Sequence, residues 1–215
     1  MVEQIAMFAA ALLAGAFVSI QIMLGALGIA IAIGLFMALL ATTRVVPLRL
    51  FVACYVEVFR NVPALTQLFI IYFGLAQVGL RLQPIPAAII GLGLGGGALL
   101  TEVFRAGIQA LHHGQREAAV AVGMTPIMAI RYIILPQAWR IVLPPLGNYS
   151  ISLLKETSVA SAIAAPEIMF YARQLVTRSF ETPVIYSLTA LLYLAMCLPI
   201  GRLVARLERR SRAWQ

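Results

Sequence analysis

The sequence contains no aspartate and little charge of either sign. Of its 215 residues, 11% are charged and 62% are hydrophobic, and the mean hydropathy is +0.95. A soluble domain of this size has about a quarter of its residues charged. One globular core cannot hide so large an apolar excess. The composition therefore excludes an ordinary soluble protein and indicates that lipid is the solvent for much of the surface.

Metal, redox and nucleotide motifs are also missing. The two cysteines, Cys54 and Cys197, lie in apolar stretches, and no CxxC or HExxH spacing occurs. Buried small apolar residues explain them better than a disulfide or metal pair, so we expect no metal and no cofactor. Without a GxxxxGK[ST] loop the chain has no motif for binding ATP. No basic segment precedes the first apolar stretch, which we therefore expect to stay in the mature protein.

The apolar stretches predict an all-α transmembrane bundle of five helices, since a crossing needs about 20 apolar residues. We predict a first helix over 15–41 after an interfacial or slanted N-terminal segment. A hairpin turning near Gly25–Gly28 is the alternative, and it ranks second because it would bring an N-terminus without Lys or Arg to the cytoplasm. The second to fifth spans are expected at 63–79, 86–110, 142–165 and 184–204.

The glycines of the third span and the prolines of the fourth predict how these two helices are built. The third is rich in glycine, which lets helix backbones approach closely in a membrane bundle. The fourth is predicted to be irregular, because Pro144, Pro145 and Gly147 interrupt it. Breaks there would free backbone groups, which are tolerated only where protein or water satisfies them. The segments 44–63 and 166–183 are expected to be loops or polar entries to a helix.

Arginine is distributed unequally between the two sides that five crossings create. Most arginines, Arg60 among them, fall on one side, whereas Arg81, Arg173 and Arg178 fall on the other and Lys155 lies at membrane depth. The side richer in Lys and Arg is normally cytoplasmic. We therefore expect a periplasmic N-terminus and a cytoplasmic C-terminus. The net charge of +8 is thus explained by orientation in the membrane, and we expect no nucleic-acid partner.

The longest polar segment follows the third span and faces the cytoplasm in this topology. Residues 116–122 are good helix formers, and Gly123 suits the left-handed position that ends a helix. Thr125 can cap a second short helix with Pro126 at its first position, and Pro136 is expected to stop the run. Such a compact helical knob could be gripped by a partner or fold back on its own bundle. The residues alone leave these alternatives about equal.

The same segment resembles a known signature. Glu117-Ala118-Ala119, Gly123 and Ile134-Leu135-Pro136 are similar to the EAA motif of bacterial ATP-binding cassette (ABC) importer permeases. In that family the loop forms coupling helices that dock into the ATP-binding subunits. The resemblance therefore assigns ATPase coupling to the matching residues, which are Glu117, Ala118, Ala119, Gly123 and Pro136.

Further matches resemble the polar amino acid subfamily, which includes histidine, glutamate, glutamine, arginine and opine permeases. They include "FRNVPALTQLFIIYFGL" (59–75) and "KETS" (155–158). Leu99 and Asn61 depart from the subfamily, which often has tyrosine and glycine there, so the solute is left open.

The resemblance implies a type I permease domain over 1–215 with its coupling loop at 112–136. Such a subunit performs no covalent chemistry and is not an enzyme. It works in the bacterial inner membrane with ATPase subunits, a second permease subunit (itself or a sister) and a periplasmic binding protein. The solute would be a polar amino acid or an opine-like compound.

Lys155 and Glu156 are the first candidates for the substrate path. Ionisable groups at bilayer depth cost at least ~2.5–3.5 kcal/mol, so they usually face a cavity or each other. A cation and an anion could recognise a zwitterionic amino acid. A structural ion pair is the alternative, although residues i and i+1 do not face each other on a helix. Hydroxyls follow nearby at Thr157, Ser158 and Ser161.

Gln67 and Glu102 are weaker candidates. Gln67 lies in the second span and is either a lining residue or an interhelical hydrogen-bonding group. Glu102 stands three residues before Arg105, and a local ion pair is the favoured interpretation of that spacing.

Three rival functions fit the sequence less well. A secondary transporter or channel would need its own ion site and commonly has inverted repeats, and we find neither. An intramembrane protease would need a nucleophile and a base at membrane depth, whereas His112 and His113 lie in the polar loop. A passive anchor would leave the EAA pattern and the Lys155–Glu156 pair unexplained.

Overall fold

The computed structural model describes residues 2–109, 119 and 121–212, and within these ranges every regular element is helical. The elements in chain order are α1 (Val2–Ala41), α2 (Val46–Asn61), α3 (Ala64–Phe69), a π-helical turn (Ile70–Gly74), α4 (Leu75–Gln77), α5 (Pro84–Gln109), α6 (Pro126–Ala129), a second π-helical turn (Ile130–Ile134), α7 (Leu135–Glu156), a 3₁₀ segment (Thr157–Ile163), α8 (Ile168–Ser179) and α9 (Thr182–Arg212).

The helix α1 is longer than the sequence suggested. It runs without a break for 40 residues, so the predicted start at residue 15 and the alternative hairpin at Gly25–Gly28 are both wrong. Glycine in a helix costs only about 1 kcal/mol relative to alanine, which is too little to end an apolar helix that contains no proline. At ~1.5 Å per residue the helix is about 60 Å long, longer than the ~30 Å hydrocarbon core.

Two helices occupy segments that we expected to be loops. The helix α2 begins just after Val45, has proline in its first turn, and is bent by 106° from the helical run that follows Pro63. The helix α8 fills most of the segment 166–183 and ends at Ser179, directly before Phe180, which has a φ of 60°. Both are short and carry polar residues, so a search for long apolar windows does not detect them.

The fourth span is more regular than predicted. The helix α7 continues through Pro144 and Pro145 to Glu156, and the change of geometry comes there, where the chain tightens into the 3₁₀ segment. Pro136 does not stop the preceding run either, because it lies in the first turn of α7, where the helical path bends by 47°. Prolines and π-turns are the usual causes of such kinks, and here both occur together.

The predicted role of glycine in the third span is confirmed by the packing of α1 on α5. A Cβ added to Gly34 would lie 2.7 Å from the Cβ of Leu100, and one added to Gly93 would lie 2.7 Å from a methyl carbon of Ile29. The main core lies between these helices and α7, and it includes the fully buried Leu100 and Leu153.

The described residues contain three helices long and apolar enough to cross a membrane, at Glu3–Ala41, Pro84–Gln109 and Thr182–Arg206. Two bent helix pairs raise the number to as many as five if each pair is one span. The predicted all-helical bundle is confirmed at this level.

Candidate solute cleft and coupling segment

A cleft of about 220 Å³ opens between the end of α2, the start of α3, the glycine-rich face of α5 and one face of α7. The 106° bend between α2 and α3 brings residues from both helices to its wall. Four polar side chains line it, together with the glycines of α5. They are Arg60, Gln67, Tyr149 and Glu156.

Gln67 is both a lining residue and a hydrogen-bonding group. Its side chain is 8% exposed, and its amide nitrogen donates to the carbonyl oxygens of Phe59 at 2.8 Å and Val62 at 2.7 Å. Carbonyls at the end of a helix have no partner within that helix. Gln67 therefore supplies the hydrogen bonds that the two carbonyls at the end of α2 would otherwise lack, and it holds the bend that shapes the cleft.

Arg60 and Glu156 give the cleft one cation and one anion. Both side chains are exposed, and no salt bridge joins them. Arg60 was predicted to belong to a cytoplasmic group of arginines in loops, but it lies in the last turn of α2 and lines the same cleft as Glu156. Its position depends on the helix α2, which the sequence did not reveal.

The remaining substrate-path candidates lie outside the cleft wall. Lys155 is exposed, is absent from the cleft lining and forms no ion pair with Glu156. The hydroxyls of Thr157, Ser158 and Ser161 donate to backbone carbonyls three residues earlier, at 2.7–2.8 Å. These donors are used by carbonyls at the end of α7 and within the 3₁₀ segment, and they stabilise the junction between the two.

Glu102 forms the local ion pair that its spacing favoured. Its carboxylate accepts from the Nη2 of Arg105 at 2.5 Å and from the Nε at 3.2 Å. The pair lies on α5 and is partly exposed, and neither residue lines the cleft.

The coupling segment is described in part. Glu117 and Ala118 lie outside the described residues, whereas Ala119 is 1% exposed and its carbonyl accepts from the backbone N–H of Met124 at 2.9 Å. Gly123 has a φ of +78°, as predicted for a residue that ends a helix in the left-handed region.

The expected cap of the second short helix is also present. The hydroxyl oxygen of Thr125 accepts from the backbone N–H of Met128 at 3.3 Å, and α6 begins at Pro126. Two apolar side chains on this segment, Val122 and Ile127, are 75% and 77% exposed. The segment therefore presents an apolar surface that nothing in the described chain covers.

A second polar cluster, which the sequence did not suggest, lies at the start of α8. The side chain of Glu167 is completely buried before the first turn of α8 and accepts from the backbone N–H groups of Met169 at 2.9 Å and Phe170 at 2.8 Å. The hydroxyl of Tyr193 in α9 also donates to it, at 3.2 Å. Burial raises the pKa of this carboxyl to about 7, against the opposing effect of these hydrogen bonds.

Comparison with known proteins gives this geometry its context. The family described as "binding-protein-dependent transport system inner membrane component" matches residues 30–213. The chain belongs to that family. Permeases of this family are transport components rather than enzymes, and they work with ATPase subunits and a partner permease.

Relatives from the permease family are similar in sequence to this chain over most of its length. The probable amino-acid ABC transporter permease protein YckA of Bacillus subtilis (strain 168) is 39% identical over 77% of this chain and 73% of its own. The glutamine transport system permease protein GlnP of Escherichia coli (strain K12) is 36% identical over 74% and 73%.

Among solved structures, an amino acid ABC transporter crystallised with histidines has a TM-score of 0.89 at 35% identity, covering 95% of this chain and 96% of that one. The MetNI methionine ABC transporter, at 22% identity and a TM-score of 0.80 over 94% and 96%, shares the fold. The chain is thus the membrane permease subunit of an ABC transporter.

Sequence reasoning missed three polar residues of this permease, which are Arg60, Tyr149 and Glu167. A glutamate directly after Pro166 and before an amphipathic run is a weak sign of a helix cap, and it is the one signal that the sequence offers. Nothing local distinguishes Tyr149 from a core tyrosine. Its place on the cleft depends on how α5 and α7 pack.

Proposed function

We propose that this chain is the permease subunit of an ATP-driven importer that moves a polar amino acid, or an opine-like solute, across the bacterial inner membrane. The observation that carries the proposal is the 35% identity and 0.89 TM-score with an amino acid ABC transporter over 95% of the chain. The names of the curated relatives, which include amino-acid and glutamine permeases, support the same class of solute.

The charges around the cleft suit such a solute. Arg60 can bind the α-carboxylate of an amino acid and Glu156 its ammonium group, since neither charge is used by the other. At ~30 Å³ for each water, a volume of about 220 Å³ holds about seven waters. That is enough room for a small solute such as an amino acid.

Coupling to ATP hydrolysis is proposed for the loop 112–136. We assign coupling to the ATPase subunits to Glu117, Ala118, Ala119 and Gly123, with the kink at Pro136 directing the chain back into the membrane. The exposed apolar side chains of Val122 and Ile127 favour a surface that is covered by another protein, since large exposed apolar patches usually mark interaction sites. Rigid movement of this loop would change which end of the cleft is open.

The topology that fits this role has five crossings, in which each bent helix pair counts as one span. We place the N-terminus in the periplasm and the C-terminus in the cytoplasm, because the segments near α6 and the end of α9 hold most of the arginines outside the cleft. A second permease subunit, identical or a sister chain, and a periplasmic binding protein complete the assembly. A secondary transporter is the alternative, and it would take up solute without ATP.

Cysteine cross-linking tests the assignment of the coupling loop. In a chain whose Cys54 and Cys197 are replaced by alanine, a cysteine at the exposed Ala121 should cross-link to a co-expressed ATPase subunit and react with reagents only from the cytoplasmic side. A cysteine at the exposed Gln174 of α8 is the matched control and should react only from the periplasm. Labelling of the Ala121 position from the periplasm alone would overturn both the topology and the coupling role.

A further inference from the structure

Among the described residues, Arg60 has an acidic neighbour with which it forms no ion pair. Glu57 stands three residues earlier on α2, and oppositely charged side chains at that spacing are neighbours on the helix surface and commonly pair. Arg105 and Glu102 form such a pair on α5. Arg60 instead lines the cleft, whereas Glu57 does not belong to the described wall. The Glu57 carboxylate is bound by a different group.

That group is the side chain of Asn61. Its amide nitrogen donates to the backbone carbonyl oxygen of Glu57 at 2.7 Å and to the Oε1 of the same residue at 3.0 Å. The opposite orientation of the amide would set its oxygen against two acceptors, so these bonds decide which way the group points. Asn61 is the last residue of α2 and directly follows Arg60. The neighbour of the cleft cation thus binds the anion that would otherwise neutralise it.

Position 61 is also one at which this chain departs from the polar amino acid subfamily, which often has glycine there. A glycine has no side chain that could donate to Glu57. The carboxylate would then be available to Arg60, its expected partner on the same helix face. An arginine paired in this way has fewer N–H groups left for a solute. The residue at position 61 therefore sets how much of the cleft cation is available.

We propose that Asn61 is a positioning residue, which holds Glu57 and so leaves the Arg60 guanidinium free for the α-carboxylate of the solute. The inference rests on the proposed function, in which Arg60 binds that carboxylate. All three side chains are exposed, and an exposed pair at this spacing is favoured only about twofold over the separated side chains. Without Asn61, Arg60 would be free in about one third of the molecules, and the apparent affinity for the solute would fall by that fraction.

Solute binding by the wild type, two single variants and their double variant tests this role. The permease–ATPase complex in lipid nanodiscs is titrated with each of the common L-amino acids in radiolabelled form, and the amino acid that binds most tightly is used for the variants. Asn61→Ala should weaken its binding about threefold. Glu57→Ala should leave the affinity unchanged. The double variant should regain the wild-type affinity, because alanine at position 57 cannot reach Arg60.

A purely structural role for Asn61 predicts a different pattern. Both substituted residues are exposed, so the melting temperatures of all four proteins should stay close together. A loss of affinity in Asn61→Ala that Glu57→Ala does not reverse, or no loss at all, would overturn the proposal. A gain of affinity in Glu57→Ala alone would also overturn it, because Glu57 would then already compete for Arg60 in the wild type.

Arg60→Ala separates this inference from the proposed function. This change should weaken binding by itself, and Asn61→Ala should have no further effect in that background. Weaker binding in Arg60→Ala without the predicted effect of Asn61 would leave the cleft contact intact and overturn only the role of Asn61. A complex that binds and accumulates none of the common amino acids would overturn the proposed function and this inference with it.

Discussion

Replacement of Gln67 by leucine tests how the bend between α2 and α3 is held. The change removes two hydrogen bonds, to the carbonyls of Phe59 and Val62, and keeps a side chain of similar size. A buried acceptor left without a partner costs about 1–3 kcal/mol. Both residues also line the open cleft, where water can replace part of the loss. We therefore expect a destabilisation of about 2 kcal/mol.

The assay is thermal unfolding of the purified permease–ATPase complex. A loss of ~2 kcal/mol lowers the melting temperature of a chain of this size by about 4–8 °C. Gln77→Leu is the matched control, because Gln77 is an exposed glutamine at the end of α4 whose side chain forms no hydrogen bond with the described residues. Equal melting temperatures for the two variants would refute the view that Gln67 holds the bend.

Three further changes probe other parts of the chain. Gly15→Ala should lower the melting temperature, because the new Cβ would lie 2.8 Å from the backbone of Glu167 and Ile168. Gly28→Ala is the matched control, because its new Cβ would have nothing within 4 Å, and it should leave the free energy of unfolding unchanged or raise it by up to ~1 kcal/mol. Glu167→Gln should remove a pH dependence. Burial raises the pKa of Glu167 from 4.5 to about 7, so the folded chain holds this proton more tightly than the unfolded chain does. The protonated carboxyl therefore contributes about 3 kcal/mol to the free energy of unfolding below pH 4.5, and this contribution is lost as the pH rises through 7. Gly123→Val should reduce uptake several-fold relative to ATP hydrolysis, since a φ of +78° costs a β-branched residue about 1–2 kcal/mol or more.

Each of these has an outcome that contradicts it. Equal melting temperatures for the Gly15 and Gly28 variants would mean that α1 does not approach α8 as closely as described. If the wild-type protein does not lose stability between pH 4.5 and 8, or if Glu167→Gln loses as much stability over that range as the wild type, this carboxyl does not titrate there. Full coupling of uptake to ATP hydrolysis in Gly123→Val would mean that coupling does not need Gly123.

The sequence predicted those features that depend on neighbours along the chain. Gly123 and Thr125 end and begin short helices because of their own backbone and side-chain chemistry, and their predicted roles agree with the structure. The ion pair between Glu102 and Arg105 follows from one turn of helix. The centres of the long apolar spans were found for the same reason, since hydropathy over a window of about 19 residues is a local property.

The missed features depend on contacts between distant segments. The helix α8 is too short and too polar to be recognised as an apolar span. Its start is stabilised by a buried carboxyl that a tyrosine of α9 also contacts. Pro144 and Pro145 were expected to break α7, but packing holds the helix through both. Prolines are tolerated in membrane helices where neighbouring groups satisfy the freed carbonyls.

The cleft itself was predicted only in part. Glu156 and Gln67 were named from their polarity at membrane depth, and both line it. Lys155, Thr157, Ser158 and Ser161 were named for the same reason, yet they lie outside its wall. A helix places adjacent residues about 100° apart, so polarity along the chain cannot tell which of them faces a cavity.

The central claim is most directly tested by transport in proteoliposomes that contain this permease with its ATPase, partner permease and binding protein. We predict accumulation of a radiolabelled amino acid that requires ATP on the ATPase side, persists when proton and sodium gradients are collapsed, and is lost in Glu156→Ala. Accumulation that continues without ATP and follows an ion gradient would contradict the account.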